Sequence, residues 1–172
     1  MKKKLKYGNI ELDLKFKPPT IEVYEKWKRE FFSIEESKKF DIYLVGGFLD
    51  KMNGKKKYTP DVDIILVGKE DVDDIEKLVY EGTRIGLEKY QVFFDIFWLD
   101  RLPDYTNSDV VKINGYLLSN KWIINGEIKK EFKAARQVRE NLWNHQMTFP
   151  SYKQKKLMKE GFEYSKPIII NI

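Results

Sequence analysis

The chain has 172 residues, of which 42% are hydrophobic and 15% aromatic, so it can bury a substantial core and is not a disordered polypeptide. It contains no cysteine, which excludes a disulfide scaffold, cysteine-based zinc sites and cysteine nucleophiles. The net charge is +5 and the pI is about 9.1. This basic balance is compatible with a polyanionic partner such as nucleic acid, and equally with a lysine-rich surface that is only solvated.

No apolar run approaches the roughly 20 residues that a membrane-spanning helix needs. The lysine-rich start of the chain lacks the apolar stretch of a signal peptide. We therefore expect a cytoplasmic protein with no membrane partner, and the absence of cysteine fits a reducing compartment.

The first elements are a hairpin and a helix. Residues Lys4 to Lys17 alternate around Gly8-Asn9, which predicts two short strands joined by a tight turn. Pro18-Pro19-Thr20 ends the extended structure and opens a helix. The apolar side chains of that helix recur at three- and four-residue spacing and predict one buried face, formed by Ile21, Tyr24, Trp27, Phe31 and Ile34.

Three buried strands and a second helix follow. The strands are predicted at Asp41 to Gly47, Asp61 to Val67 and Gln91 to Leu99, and the helix at Asp71 to Tyr90. Gly82 and Gly86 lie on the apolar side of this helix, where they would let its backbone approach the sheet. The order helix, strand, strand, helix, strand predicts an α/β (α+β) sandwich, in which helices flank a small mixed sheet.

The residues that follow this core are predicted to form extra strands and helices. Two Asn-Gly turns are expected, at Asn114-Gly115 and Asn125-Gly126. One helix is predicted from about Glu127 to Trp143, and another from about Ser151 to Glu160, ended by Gly161.

Three aspartates in the predicted strands are the candidate catalytic and metal-binding residues. Side chains alternate along a strand, so Asp61 and Asp63 point the same way, and Asp95 occupies a similar place in the third strand. A carboxylate within a buried strand is costly to desolvate unless it has a partner. If the strands are neighbours, the carboxylates can converge on a hard cation such as Mg²⁺, which prefers oxygen ligands.

Glycines and lysines near these aspartates are candidates for phosphate binding. Gly46-Gly47, at the end of the first strand, would present backbone N–H groups to a triphosphate with no side chain in the way. The loop Lys55-Lys56-Lys57 lies between the glycines and the aspartate pair. We expect it to contact the triphosphate or the acceptor, and name Lys55 and Lys57 as its phosphate-binding residues.

The ordered set Leu44-Val45-Gly46-Gly47, Asp61-Val62-Asp63-Ile64 and Phe94-Asp95-Ile96 resembles the signature of the polymerase-β-like nucleotidyltransferase superfamily. The resemblance covers roughly Ile21 to Leu99. The sequence around Gly46 is also similar to the corresponding motif in the branch of tRNA CCA-adding enzymes and poly(A) polymerases. It departs from that branch because no arginine precedes Asp50 and the spacing to Gly54 is one residue short.

The resemblance implies a metal-dependent nucleotidyltransferase that moves a nucleoside monophosphate from an NTP to a hydroxyl and releases pyrophosphate. Asp61 and Asp63 would bind two Mg²⁺ or Mn²⁺ ions, and Asp95 would bind the catalytic one and help to deprotonate the acceptor. Gly46 and Gly47 would hold the triphosphate. The whole chain, 1–172, would be one domain, with the catalytic core at about 20–105 and a C-terminal appendage at about 106–172.

The acceptor stays open at this point. An RNA or tRNA 3′ end is favoured by the basic balance and by lysine-rich helical sets after the core, which equally suit solvated helix faces. The sets are Lys129, Lys133, Arg136 and Glu140, and Lys153, Lys155, Lys156 and Lys159. The alternatives are a small molecule such as an antibiotic, a protein hydroxyl as in toxin-type minimal nucleotidyltransferases, or a non-catalytic nucleotide- or RNA-binding relative.

Overall fold

A computed structural model describes the strands at residues 2–7 and 10–15, then residues 17–116, 123–124, 127–128 and 146–172. The N-terminal hairpin is confirmed, because β1 (Lys2–Tyr7) and β2 (Ile10–Lys15) pair antiparallel. The tip of this hairpin, at residues 8 and 9, lies outside the described residues.

The first helix and the long helix pack side by side on one face of the central sheet. Helix α1 (Ile21–Phe32) begins after Thr20, whose side chain accepts a hydrogen bond from the Val23 amide. A short 3₁₀ helix, Glu35–Lys39, follows it. The remaining helices are α2 (Gly46–Met52), α3 (Val72–Tyr90) and α4 (Tyr152–Lys159).

The central sheet has six strands, of both parallel and antiparallel orientation. In chain order the strands are β3 (Asp41–Val45), β4 (Val62–Val67), β5 (Phe94–Leu99), β6 (Val111–Tyr116), β9 (Gln146–Phe149) and β10 (Ile168–Ile169). Their spatial order is β10-β3-β4-β5-β6-β9, and β4 and β5 are the parallel pair. The short strands β7 (Ile123–Ile124) and β8 (Glu127–Ile128) form a separate hairpin. The predicted α+β architecture with flanking helices is confirmed.

The two faces of the sheet carry different side chains. One face packs against α1 and α3, and its core includes Trp27, Phe31 and Phe94, whose aromatic rings stack. The opposite face carries a smaller apolar cluster that includes Ile65 and Phe97. Strand alternation therefore leaves the odd-numbered positions of β4 and β5 on the face away from the long helices.

The predicted close approach of α3 to the sheet is confirmed. A β-carbon built on Gly82 would lie 2.3 Å from Cδ1 of Ile96, and one built on Gly86 would lie 2.5 Å from Cδ2 of Phe94. Neither distance is possible for a real side chain, so glycine at these positions allows the helix to lie directly on β5.

Two predictions after the core are wrong. Asn114-Gly115 is not a turn but lies within β6, where a β-carbon on Gly115 would come 2.9 Å from the carbonyl oxygen of Trp98. Here the glycine serves close strand packing rather than a reversal of the chain. Glu127 begins β8 rather than a helix.

Several other predictions fall beyond the described residues. They are the rest of the helix expected up to Trp143, the Asn125-Gly126 turn itself, and the set Lys129, Lys133, Arg136 and Glu140. The helix expected at Ser151 to Glu160 is confirmed as α4, with Ser151 as its N-terminal cap. In the described ranges, no helix has the length and apolar character needed to cross a membrane.

Candidate active site

The centre of the candidate site is a pair of aspartates on neighbouring strands. Asp63 of β4 and Asp95 of β5 are direct partners in the parallel register, so their side chains leave the sheet on the same face. Both line a cleft of about 470 Å³. We call it the aspartate cleft, and its lining includes Gly46, Gly47, Lys56, Asp63, Asp95 and Tyr105.

The glycine pair borders the aspartate cleft because β3 lies beside β4. Val45 is the register partner of Asp63, and α2 begins at the next residue, Gly46. Gly46 has a φ of +74°, and a β-carbon built on it would lie 2.2 Å from Oδ2 of Asp63. Only glycine fits there, because any side chain would both strain the backbone and overlap the carboxylate.

Gly47 and Asp61 are linked through a threonine. A β-carbon on Gly47 would lie 2.8 Å from Oγ1 of Thr59. The Thr59 hydroxyl donates a hydrogen bond to the backbone carbonyl of Asp61 at 3.0 Å. Asp61 itself immediately precedes β4 and is buried, but it is not one of the residues that line the aspartate cleft.

Two of the three predicted aspartates, Asp63 and Asp95, line the aspartate cleft. Across the described parts of the chain, no three His, Cys, Asp or Glu side chains lie close enough together to hold one metal ion. Magnesium is commonly held by one or two carboxylates, with water and substrate phosphates as its other ligands. Asp63 and Asp95, adjacent and facing a cleft, fit that kind of site.

Aromatic side chains also line the aspartate cleft, and no local sequence pattern predicts them. Tyr105 follows β5 and is nearly buried, against Phe149 and Tyr164. Burial is the main cause that raises the pKa of Tyr105, and the Asp63 carboxylate raises it further. A hydrogen bond with the Gln154 side chain acts in the opposite direction, but the net pKa stays above the ordinary value. Tyr105 therefore keeps its proton at neutral pH.

The lysines near the cleft differ from the expected pair. Lys56 lines the aspartate cleft, whereas Lys55 and Lys57 are exposed and do not. Near its first turn, α4 contributes Lys153 and Gln154 to the same lining. The middle residue of the lysine loop is thus the one that the fold brings to the aspartates.

Comparisons with known protein families, with curated proteins and with solved structures find no match to this chain. The cleft combines two adjacent carboxylates, a glycine backbone pressed against one of them, and lysines on two sides. Such a site can bind a divalent cation together with a phosphorylated ligand.

Proposed function

We propose that the protein is a metal-dependent nucleotidyltransferase, which transfers a nucleoside monophosphate from an NTP to an acceptor hydroxyl. The observation that carries the proposal is the register pairing of Asp63 and Asp95 in the lining of the aspartate cleft, with Gly46 against Asp63. The resemblance of the same glycines and aspartates to the signature of the polymerase-β-like superfamily also supports it. Such an enzyme would work in the cytoplasm, where NTPs and Mg²⁺ are abundant.

In this reaction the acceptor oxygen bonds to the α-phosphorus, the bond between the α- and β-phosphates breaks, and pyrophosphate leaves. Asp63 and Asp95 would hold Mg²⁺, and the buried Asp61 immediately precedes β4. The bound cation would offset the charge of the phosphates and of the leaving group. Asp95 would also accept the proton of the acceptor hydroxyl, and the Gly46-Gly47 backbone would leave room for the triphosphate beside Asp63.

An RNA 3′ end is the acceptor that we propose, and basic side chains of α4 support it. Lys153 of α4 lines the aspartate cleft, and Lys155, Lys156 and Lys159 surround a small groove on the same helix. The exposed ring of Tyr152 borders that groove, 88% accessible. Basic side chains interleaved with an exposed aromatic ring suit a single-stranded nucleic acid, whose phosphates bind cations and whose bases stack.

The test is incubation of the protein with each labelled NTP and Mg²⁺, with bulk tRNA or without RNA. Label in RNA supports the proposed acceptor. Label in protein or in an added small molecule moves the acceptor to one of the alternatives. Absence of transfer to any of them would refute the proposed activity, and the non-catalytic alternative would then need a binding measurement.

The matched variants are Asp63→Asn and Asp95→Asn, with Asp109→Asn as the control, since Asp109 is exposed and outside the cleft. We expect the first two to abolish transfer and the control to retain it. Asp63→Asn should keep or raise the melting temperature, because it relieves repulsion between adjacent carboxylates. Full activity of Asp63→Asn would refute the metal-dependent mechanism.

A further inference from the structure

A buried carboxylate lies behind the aspartate cleft and takes no part in the chemistry described so far. Asp50 of α2 is only 1% exposed. Its Oδ1 accepts a hydrogen bond from the backbone N–H of Ser165 at 2.9 Å, but its Oδ2 accepts none from the described residues. A buried ionised carboxylate is costly without a compensating charge. Lys56 supplies that charge, with its Nζ 3.6 Å from Oδ2 of Asp50.

The ammonium of Lys56 is also held from the other side, by the C-terminal part of the chain. It lies 5.5 Å from the ring centre of Phe162 and 5.8 Å from that of Tyr164, within the range of cation–π attraction. These rings belong to residues 162–170, which we call the strap. The strap is fixed by Ser165, which binds Asp50, and by β10, which pairs with β3.

This arrangement leaves Lys56 able to bind a ligand. The residue lines the aspartate cleft, and 36% of its side chain is exposed, in contrast to its buried partner Asp50. At 3.6 Å the contact with Asp50 is an ion pair rather than a close hydrogen bond. An ammonium has three N–H donors, so it can face Asp50 and a ligand of the cleft at the same time.

Charge identifies the class of ligand. The floor of the cleft carries the carboxylates of Asp63 and Asp95, which repel a polyanion unless cations lie close by. A lysine held in position loses less side-chain entropy on binding than a free one, because the fold has already ordered it. Its fixed position at the edge of an acidic site suits the phosphates of a nucleotide better than an uncharged ligand.

We infer that Lys56 binds the triphosphate tail of the NTP, and that Asp50 and the strap are its positioning elements. The inference rests on the proposed nucleotidyl transfer, because it assigns a ligand to the same cleft. It replaces Lys55 and Lys57, which were expected to hold the phosphates, by the residue between them. Asp50 acts only through Lys56 and touches no substrate.

The test is a calorimetric binding measurement in the presence of Mg²⁺. The ligands are the four NTP analogues with a methylene bridge between the α- and β-phosphates, and the monophosphate of the base that binds best. Lys56→Met keeps the length and the packing of the side chain and removes its charge. We expect it to weaken binding of the analogue about 10- to 100-fold, as for one hydrogen bond to a charged group, and to leave monophosphate binding unchanged.

Companion variants keep the result interpretable. Lys56→Arg should restore most of the affinity, and Lys69→Met, on an exposed loop after β4, should match the wild type. The double variant Lys56→Met/Asp50→Asn leaves no buried carboxylate without a compensating charge. It is therefore the variant to measure if Lys56→Met alone does not fold. Asp50→Asn should reduce the preference for the triphosphate over the monophosphate, which a purely structural defect would not change.

Three results would overturn the inference. They are unchanged analogue binding by Lys56→Met, an equal loss for the monophosphate, and a larger loss on replacing Lys55 or Lys57 than on replacing Lys56. If the wild-type protein binds no analogue, the inference and the proposed function fail together. If Lys56→Met loses analogue binding selectively but no transfer is ever detected, the inference holds and the proposed function fails. If transfer occurs and Lys56→Met is without effect, only the inference fails.

Discussion

Replacement of Gly46 by alanine tests the geometry of the aspartate cleft most directly. Gly46 has a φ of +74°, and the new β-carbon would lie 2.2 Å from Oδ2 and 3.0 Å from Cγ of Asp63. The left-handed backbone costs an alanine about 1–2 kcal/mol. The overlap adds the cost of overpacking, about 1–3 kcal/mol. We therefore expect Gly46→Ala to lower the free energy of unfolding by about 2–5 kcal/mol in total.

The chain offers a matched control for the backbone part of this cost. Gly54 has a φ of +73°, and a β-carbon built on it would meet nothing within 4 Å. Gly54→Ala should therefore cost only about 1–2 kcal/mol, from the backbone alone. The excess cost of Gly46→Ala over Gly54→Ala measures the contact with Asp63.

A double-mutant cycle with Asp63→Ala isolates that contact. Without the carboxylate, the closest atom of residue 63 to the new methyl group is Cβ, at 3.2 Å. In this background Gly46→Ala should cost about as much as Gly54→Ala. The assay is urea unfolding followed by far-UV circular dichroism, with nucleotide transfer measured in parallel. If both glycine variants cost the same and Gly46→Ala stays active, then the Asp63 carboxylate does not lie against Gly46.

Two further predictions concern the packing of α1. Trp27→Phe removes the indole N–H that donates to the Gly82 carbonyl at 2.8 Å. We therefore expect the free energy of unfolding, measured in urea, to fall by about 2–4 kcal/mol. A decrease below about 1 kcal/mol would contradict this expectation. Glu30 accepts hydrogen bonds from Lys89 and Tyr90, and these lower its pKa below the ordinary 4.5. Stability gained by a carboxyl group with a lowered pKa is present above the ordinary value and is lost as the pH falls through the folded-state pKa. Glu30→Gln should therefore cost about 0.5–1 kcal/mol at pH 7 and progressively less in acid, whereas a difference independent of pH would refute the role of its charge.

Local patterns were enough to predict the core elements. The spacing of Tyr24, Trp27 and Phe31 identified the buried face of α1. Ile21, which was assigned to the same face, is exposed, and Ile34 lies beyond the end of the helix. Asp71 is the N-terminal cap of α3, which begins close to where it was expected. Alternation along β4 and β5 placed Asp63 and Asp95 on one face. These features depend on neighbours in the sequence, which is why periodicity detects them.

The rest of the cleft depends on contacts that no local pattern records. The rings of Tyr105 and Tyr164 are in contact although the residues are far apart in the sequence. Lys56 differs from its neighbours in the loop through its contacts with Asp50 and the strap. The Asn114-Gly115 pair was mistaken for a turn, because the packing of Gly115 against β5 is tertiary and overrides the local preference. Asp61 satisfies the sequence signature yet is not among the residues lining the cleft.

The strap has a consequence for the order in which the protein matures during synthesis. The ribosome produces chains from the N-terminus, so the aspartates and the lysine loop emerge well before residues 162–170. Until those residues arrive, β3 has an unpaired edge and the carboxylate of Asp50 lacks the Ser165 amide. The nascent chain thus contains Asp63 and Asp95 before the contacts that hold Lys56 are available. A product that ends before the strap would carry the aspartates without the contacts that Phe162 and Tyr164 make with Lys56.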